Sequence, residues 1–276
     1  FEQEGWHREV EGEGADARLS YNGVVFNEMK GALSDPDDVL YQALSRQLFP
    51  DTAYRFESGG NPRAIPTLTY EEFLQTHARH YALPNSYTVL YGDMDIDREL
   101  AFIDERFRNA AERDAGEPNP LALQAPVSPA PARVEMATAA GNASVGVSYV
   151  IGSAADRTRV LAADVLLDAL CGSNEAPLKR RVMDAGLADD FQAMLLDGML
   201  QPQAMFQLKG TREGAAENFR ALLEETCAEL AEKGIPRDKL SAALAQAEFN
   251  LREGDWGGYP DGVALSMCVM SSWLYD

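Results

Sequence analysis

Cysteine and histidine are scarce in this sequence. Its 276 residues include three cysteines and three histidines. Cys171, Cys227 and Cys268 lie far apart and show no C-x-x-C spacing. That pattern argues against a disulfide framework and a zinc ribbon, and it favours a reducing compartment, with the cytoplasm as the first expectation.

Basic residues and long apolar runs are also few. The chain has 24 lysines and arginines against 44 acidic residues, a formal charge of −20, which repels nucleic acid. No run approaches the roughly 18 apolar residues that a membrane span needs. We therefore expect neither a nucleic-acid partner nor a membrane partner. An acidic module that binds basic partners stays open as a reading, but it rests on charge alone.

We recognise no targeting signal in the first residues of this sequence. The first residue is Phe1, and the opening "FEQEGWHREVEGEG" contains neither a basic region nor an apolar one of the kind found in signal peptides. The opening is typical of the interior of a protein. We expect the chain to be a fragment of a longer polypeptide.

Helix and strand signals divide the chain into two parts. In the first part, Pro36 follows Ser34 and Asp35, either of which can cap a helix, and Thr69 forms a capping box with Glu72. "SYTVLYGDMD" is rich in strand-forming residues up to Gly92. We predict helices over residues 21–33, within 34–50, and over 69–82 and 95–112, and a short strand within 86–92.

A proline-rich stretch, residues 113–131, then indicates a linker between domains, because it can neither continue a helix nor lie inside a sheet. The predicted domains are therefore 1–112 and 132–276. In the second domain we predict strands, then helices, then strands and long helices, an α+β order that favours a mainly antiparallel sheet with helices on one face. The predicted strands are 133–139, 143–152, 189–198 and 201–210, and the predicted helices are 154–171, 176–185, 214–233, 237–253 and 261–275.

Three sets of residues are candidates for chemistry, and each has a plain structural alternative. His77 and His80 share a helical face, but no acid or cysteine accompanies them at ligand spacing, so a surface pair is favoured. His7 lies among glutamates and indicates little by itself. Glu28, within "GVVFNEMKG", is surrounded by apolar residues. A glutamate in such a helix is more often an edge residue whose carboxylate reaches water than a functional group.

Several stretches together resemble the presequence-protease branch of the pitrilysin/insulinase-type zinc metallopeptidases. They are "EGWH", "GVVFNEMKG", "SGGNPRAIPTLTYEEF", "HYALPNSYTVLYGD", "LLDALCGSNEAPLKRRVMDAGLADDF", "LQPQAMFQLKG" and the closing "EFNLREGDWGGYPDGVALSMCVMSSWLYD". The resemblance covers nearly the whole chain in the family's order. It implies two related domains of the pitrilysin/processing-peptidase-like metallohydrolase fold, the first incomplete and the second non-catalytic.

The resemblance also implies a function for the full-length protein. Members form a two-halved chamber from four related domains, and the chamber degrades short unfolded peptides. Zn2+ is held by two histidines of an inverted H-x-x-E-H motif and by a distal glutamate, which maps onto Glu28. Val25, Phe26 and Met29 would form an apolar collar around a half-buried carboxylate.

One departure from the family pattern limits this reading. The sequence contains no H-x-x-E-H motif. We therefore expect no catalytic residue within this chain, weak zinc binding or none by the chain alone, and no activity alone. The expected partners are unfolded peptides and the missing N-terminal and C-terminal parts of the same protein. The alternative is a non-catalytic scaffold or chaperone-like subunit of the same architecture. We also expect exposed apolar surface on the incomplete first domain, and hence self-association of the fragment.

Overall fold

The computed structural model describes residues 1–109, 122–139, 141–254 and 256–275. Their contacts divide them into two compact units, which are described separately. Unit 1 comprises the described residues of 1–34, 57–109 and 259–266, and unit 2 comprises those of 35–56, 122–258 and 267–275. No helix among these residues is long and apolar enough to cross a membrane.

Unit 1 opens with a β-hairpin that the sequence patterns did not indicate. Strands β1 (His7–Glu11) and β2 (Arg18–Asn22) pair antiparallel, with His7 opposite Asn22 and Glu11 opposite Arg18. Both strands are largely exposed, and β1 has a single apolar residue, Val10. The apolar and polar residues of β2 alternate over only five residues, which is a weak strand signal. Cross-strand pairs such as Arg18 with Glu11, 2.7 Å apart, accompany the backbone ladder.

The helices of unit 1 largely follow the predicted bounds. They are α1 (Val24–Ala32), α3 (Tyr70–His80), α4 (Ile96–Asn109) and the first part of α9 (Asp261–Trp273). The capping box between Thr69 and Glu72 is present at the start of α3, as predicted. The core of this unit is small: Phe26, Met29 and Ile65 are buried together.

Unit 2 is built on a three-stranded antiparallel sheet. Its strands are β3 (Ser144–Val150), β4 (Asp190–Leu196) and β5 (Gln203–Lys209), in the order β3-β5-β4. Alternate residues of the central strand, Ala204, Phe206 and Leu208, enter the main core. This period of two agrees with the strand predictions.

Helices cover that face of the sheet. They are α5 (Arg157–Cys171), α6 (Pro177–Asp184) and α7 (Ala215–Lys233), while α8 (Arg237–Glu253) packs on α5. The core between helices and sheet contains three phenylalanines, Phe191, Phe206 and Phe219, whose ring centroids lie 5.5–6.4 Å apart. Because aromatic side chains bury large apolar areas, this cluster contributes to the stability of unit 2.

The opposite face of the same sheet is covered by α2 (Pro36–Leu48). The Asp37 carboxylate accepts hydrogen bonds from Gln207 Nε2 at 2.6 Å and Lys209 Nζ at 2.5 Å. A Cβ added at Gly146 of β3 would lie 2.9–3.1 Å from side-chain atoms of Leu40 and Leu44. Helices therefore pack on both faces here, whereas we predicted one face, because α2 was assigned to the first domain.

The structure confirms the α+β fold class with small antiparallel sheets and corrects two strands. It assigns neither helix nor strand to residues 86–92 and 133–139. A strand needs a hydrogen-bonded neighbour, and no described strand lies beside either segment. Residues 113–121 of the predicted linker lie outside the described residues, and 122–131 form neither helix nor strand. The domain boundaries 1–112 and 132–276 stay a prediction.

Candidate metal-ligand site

Helix α1, which carries Glu28, is anchored at its first turn by backbone of the preceding loop. The amide of Val25 donates to the carbonyl of Glu4 at 2.7 Å, and the amide of Phe26 donates to that of Gly5 at 3.3 Å. These bonds satisfy amides that a helix start leaves without partners inside the helix. The "EGWH" and "GVVFNEM" stretches are therefore joined directly.

Asn22 fixes the turn between the hairpin and α1. Its Oδ1 accepts from the amide of Gly23 at 2.8 Å and from Nδ2 of Asn27 at 2.6 Å. Gly23 has φ of +149°, and a Cβ there would lie 2.7 Å from the Cα of Trp6. Only glycine fits this position without displacing backbone.

The expected apolar collar packs the helix rather than the carboxylate. Phe26 and Met29 are buried against Ile65, and Val25 is half-buried, but Glu28 is exposed. The expectation of a half-buried Glu28 is therefore wrong for this chain. Within the described residues its carboxylate makes no hydrogen bond or ion pair, so it is free to act as an oxygen donor.

Among the described residues, the three histidines do not come together with Glu28 in one cluster. His7 Nδ1 lies 2.7 Å from the carbonyl oxygen of Glu2, on the exposed hairpin. The His77 ring stacks on that of Tyr81, with centroids 4.5 Å apart and planes 7° apart. His80 is exposed on α3.

The described residues do not by themselves fit a resident zinc ion. Among them, no group of three or more histidine, cysteine, aspartate or glutamate side chains comes together. A catalytic zinc site uses three protein ligands and one open position. Of the two histidines and one glutamate expected as ligands, the described residues offer Glu28 without the two histidines beside it. No catalytic step is therefore assigned to a metal here.

In unit 2, the charged residues near the "EAPLKRRVMDAGLADD" stretch hold elements together. Arg181 of α6 donates to Thr226 and pairs with Glu229, both of α7, and hydrogen bonds from Arg181 and Lys233 lower the pKa of Glu229. Asp189 pairs with Arg212 at 2.6 Å. These charged side chains therefore contribute to the structure of unit 2.

Unit 2 contains a buried polar cluster that the sequence did not predict. The amide of Gln124 donates to Gln201 Oε1 at 2.6 Å, and Gln201 Nε2 donates to the carbonyl of Gln124 at 3.2 Å. The Gln124 side chain in turn bonds the backbone and carboxylate of Asp51 at 2.9 and 2.8 Å. Gln124 is 73 residues from Asp51 and 77 residues from Gln201 in sequence. No local sequence pattern predicts contacts over such a separation.

Unit 2 thus has a sheet between helices, and unit 1 carries an exposed glutamate in "NEMKG". Residues 67–247 match the family described as Peptidase M16 inactive domain. The chain belongs to this pitrilysin/insulinase-type family and, by its relatives, to its presequence-protease-like branch, as a fragment of a larger protein.

Curated relatives match the chain along its whole length. It is 37% identical to Protein HypA of Clostridium perfringens, covering 100% of this chain and 29% of that protein. It is 32% identical to Presequence protease 1, chloroplastic/mitochondrial, of Arabidopsis thaliana, covering 100% of this chain and 26% of that protein. The chain thus spans between a quarter and a third of the length of these relatives.

Solved structures share the fold at low sequence identity. A protease from Helicobacter pylori has a TM-score of 0.64 at 16% identity, covering 91% of this chain and 64% of that one. A peptidase M16 inactive domain from Pseudomonas fluorescens has a TM-score of 0.62 at 18% identity, covering 91% of this chain and 59% of that one. At these identities the likeness supports the fold alone.

Proposed function

We propose that the full-length protein is a zinc-dependent endopeptidase that degrades short unfolded peptides in an enclosed chamber. In this proposal the chain contributes Glu28 as the distal zinc ligand, while residues 132–276 form a non-catalytic wall. The observation that carries it is the exposed, unengaged carboxylate of Glu28 on a helix whose start is anchored by backbone hydrogen bonds.

The geometry of α1 suits a zinc ligand whose companion ligands come from outside this chain. The buried side chains of Phe26 and Met29 fix the orientation of the helix, and the carboxylate projects from its exposed side. A carboxylate oxygen is an ordinary zinc ligand. The two histidines would have to come from another part of the full-length protein, because the described residues supply no such pair beside Glu28.

The test compares full-length protein with its Glu28→Gln variant, which keeps the shape of the side chain and removes its charge. We expect zinc affinity, measured by competition with a chelator, to fall at least ~100-fold, and peptide hydrolysis to fall with it. Glu13→Gln removes an exposed carboxylate of the same unit and should leave both unchanged.

Unchanged zinc affinity and unchanged turnover in Glu28→Gln would overturn the proposed role of this residue. The scaffold alternative makes a different prediction: the full-length protein would show no zinc-dependent turnover of unfolded peptides, and Glu28→Gln would leave its partner binding intact.

A further inference from the structure

The proline-rich segment 122–131 is attached to unit 2 mainly through one buried side chain. Gln124 is 6% exposed, Val127 is half-buried, and the other residues of the segment are exposed. The segment forms neither helix nor strand, so no regular ladder of backbone hydrogen bonds holds it. Its attachment is therefore concentrated at Gln124, which we call the hook.

The hook joins two loops that are distant in sequence. The side chain of Gln201, just before β5, binds both the amide and the carbonyl of Gln124, at 2.6 and 3.2 Å. The side chain of Gln124 binds the amide and the carboxylate of Asp51, just after α2, at 2.9 and 2.8 Å. The backbone of Gln124 is thus held as a neighbouring strand would hold it, but by a side chain and at a single residue.

Such an attachment is weak compared with the core of the same unit. A hydrogen bond that replaces one to water contributes little net free energy, and the exposed residues beside the hook bury little apolar surface. The core strand β5, by contrast, places Phe206 and Leu208 in a continuous apolar cluster. We therefore expect the hook to open locally, without unfolding of the sheet.

The residues that follow the hook form a stiff tether. Pro126, Pro129 and Pro131 favour an extended chain that rises about 3.1 Å per residue. Residues 124–131 would therefore add roughly 25 Å of reach to the predicted linker once they are released. The position of the hook within the linker decides how much of it is free.

We propose that Gln124 is a releasable hook that sets the free length of the linker predicted between the two domains. With the hook engaged, the linker is fixed to unit 2 at Gln124. With the hook open, the residues after it join the free part of the tether. The inference does not depend on zinc or on Glu28.

Hydrogen exchange on the full-length protein tests whether the hook is formed and whether it opens locally. We expect the amide of Gln124 to exchange at least ~10-fold more slowly than in an unstructured chain, and at least ~100-fold faster than the amides of β5. Its rate should not respond to low denaturant concentrations, since a local opening exposes little surface.

Two results of this measurement would overturn the proposal. Exchange of the Gln124 amide at the rate of an unstructured chain would mean that no hook exists. Exchange with the same rate and denaturant dependence as β5 would mean that the hook opens only when the whole unit unfolds.

Substitutions that keep side-chain length supply a second measurement. Gln124→Met removes the hydrogen bonds to Asp51, and Gln201→Met removes those to the backbone of Gln124. We expect a protease of broad specificity to cleave residues 122–131 at least ~10-fold faster in each variant. Leu123→Met, at a neighbour that is 59% exposed, is the matched control and should leave cleavage unchanged.

Exchange of the β5 amides should stay unchanged in all three variants, which separates release of the hook from loss of the fold. If both test variants are cleaved like the control, the proposed role of Gln124 is wrong.

Discussion

At the scale of single residues, the turn before α1 depends on the absence of a side chain. Gly23 has a positive φ, and a Cβ there would overlap the carbonyl oxygen of Gly5. The same backbone approach lets the first-turn amides of α1 reach the loop carbonyls. Glycine is thus required for a contact between neighbouring chain segments, not for flexibility.

We expect Gly23→Ala in the full-length protein to destabilise α1 by at least ~2 kcal/mol, because both backbone strain and steric overlap oppose it. Hydrogen exchange of the α1 amides should accelerate roughly 30-fold. Gly31→Ala, with open space around a Cβ in the same helix, should stabilise by roughly 0.5–1 kcal/mol. Equal effects of the two variants would contradict this account.

Cys171 gives a pH-dependent prediction at the same scale. Burial raises the pKa of its thiol to about 12, from an ordinary value of 9.0. The folded protein therefore keeps the proton longer than the unfolded chain does. Its contribution to stability is complete below about pH 9 and is lost as the pH rises towards 12.

Two measurements check this prediction for Cys171. At pH 8 we expect exposed Cys268 to react with iodoacetamide, while buried Cys171 stays unmodified until the protein unfolds. Cys171→Ala should make the loss of stability between about pH 9 and 12 shallower. Rapid modification of Cys171 in the native protein would contradict the assigned burial.

At the scale of elements, the position of α2 depends on a polar contact with the strand it covers. Asp37 pairs with Lys209 and Gln207 of β5. Partial burial acts to raise the pKa of Asp37, but the hydrogen bonds from Lys209 and Gln207 outweigh it, so the pKa lies below its ordinary value of 3.8. The contact therefore stabilises the folded chain above about pH 4 and weakens as the pH falls through the pKa of Asp37.

We expect a double-mutant cycle of Asp37→Asn and Lys209→Met to give a coupling of about 0.5–1 kcal/mol at pH 7. Both side chains are more than a third exposed, so solvent screening keeps the value small. Urea denaturation at pH 7 and at a series of lower pH values measures it, and the coupling should decline as the pH falls through the lowered pKa of Asp37. A coupling that stays constant over the whole acid range would rule out the ionised carboxylate as its source.

At the scale of the whole molecule, the two units differ in how completely they bury apolar surface. Unit 2 has a core shared by its sheet and its helices. Unit 1 has a core of three buried residues and leaves apolar side chains of α3 and α4, such as Phe73 and Leu100, exposed. The exposed apolar surface that we expected on the incomplete first domain is therefore present in unit 1.

We expect the 276-residue chain expressed alone to self-associate through this surface, since contiguous exposed apolar patches drive association. Light scattering after size-exclusion chromatography should show oligomers that dissociate on dilution. Phe73→Asp with Leu100→Asp should shift the population towards monomer, whereas Phe249→Asp on α8 of unit 2 should not. A wild-type chain that is monomeric at high concentration would contradict the prediction.

The sequence alone determined the local features of this protein. Helix starts such as Thr69 with Glu72, the helices α5 to α8 and the central strand of unit 2 follow from capping residues and periodicity, which act within a few residues. The family and the candidate ligand Glu28 followed from the resemblance of whole stretches. The hairpin of unit 1 was not predicted, because β1 carries a single apolar residue and the alternation of β2 spans only five residues.

Tertiary structure alone decided which segments meet. It placed α2 on the second face of the unit 2 sheet, paired Gln124 with Gln201, and left Glu28 exposed beside a buried Phe26 and Met29. It also assigned neither helix nor strand to residues 86–92. Each outcome depends on contacts between residues distant in sequence, whose geometry no local propensity specifies.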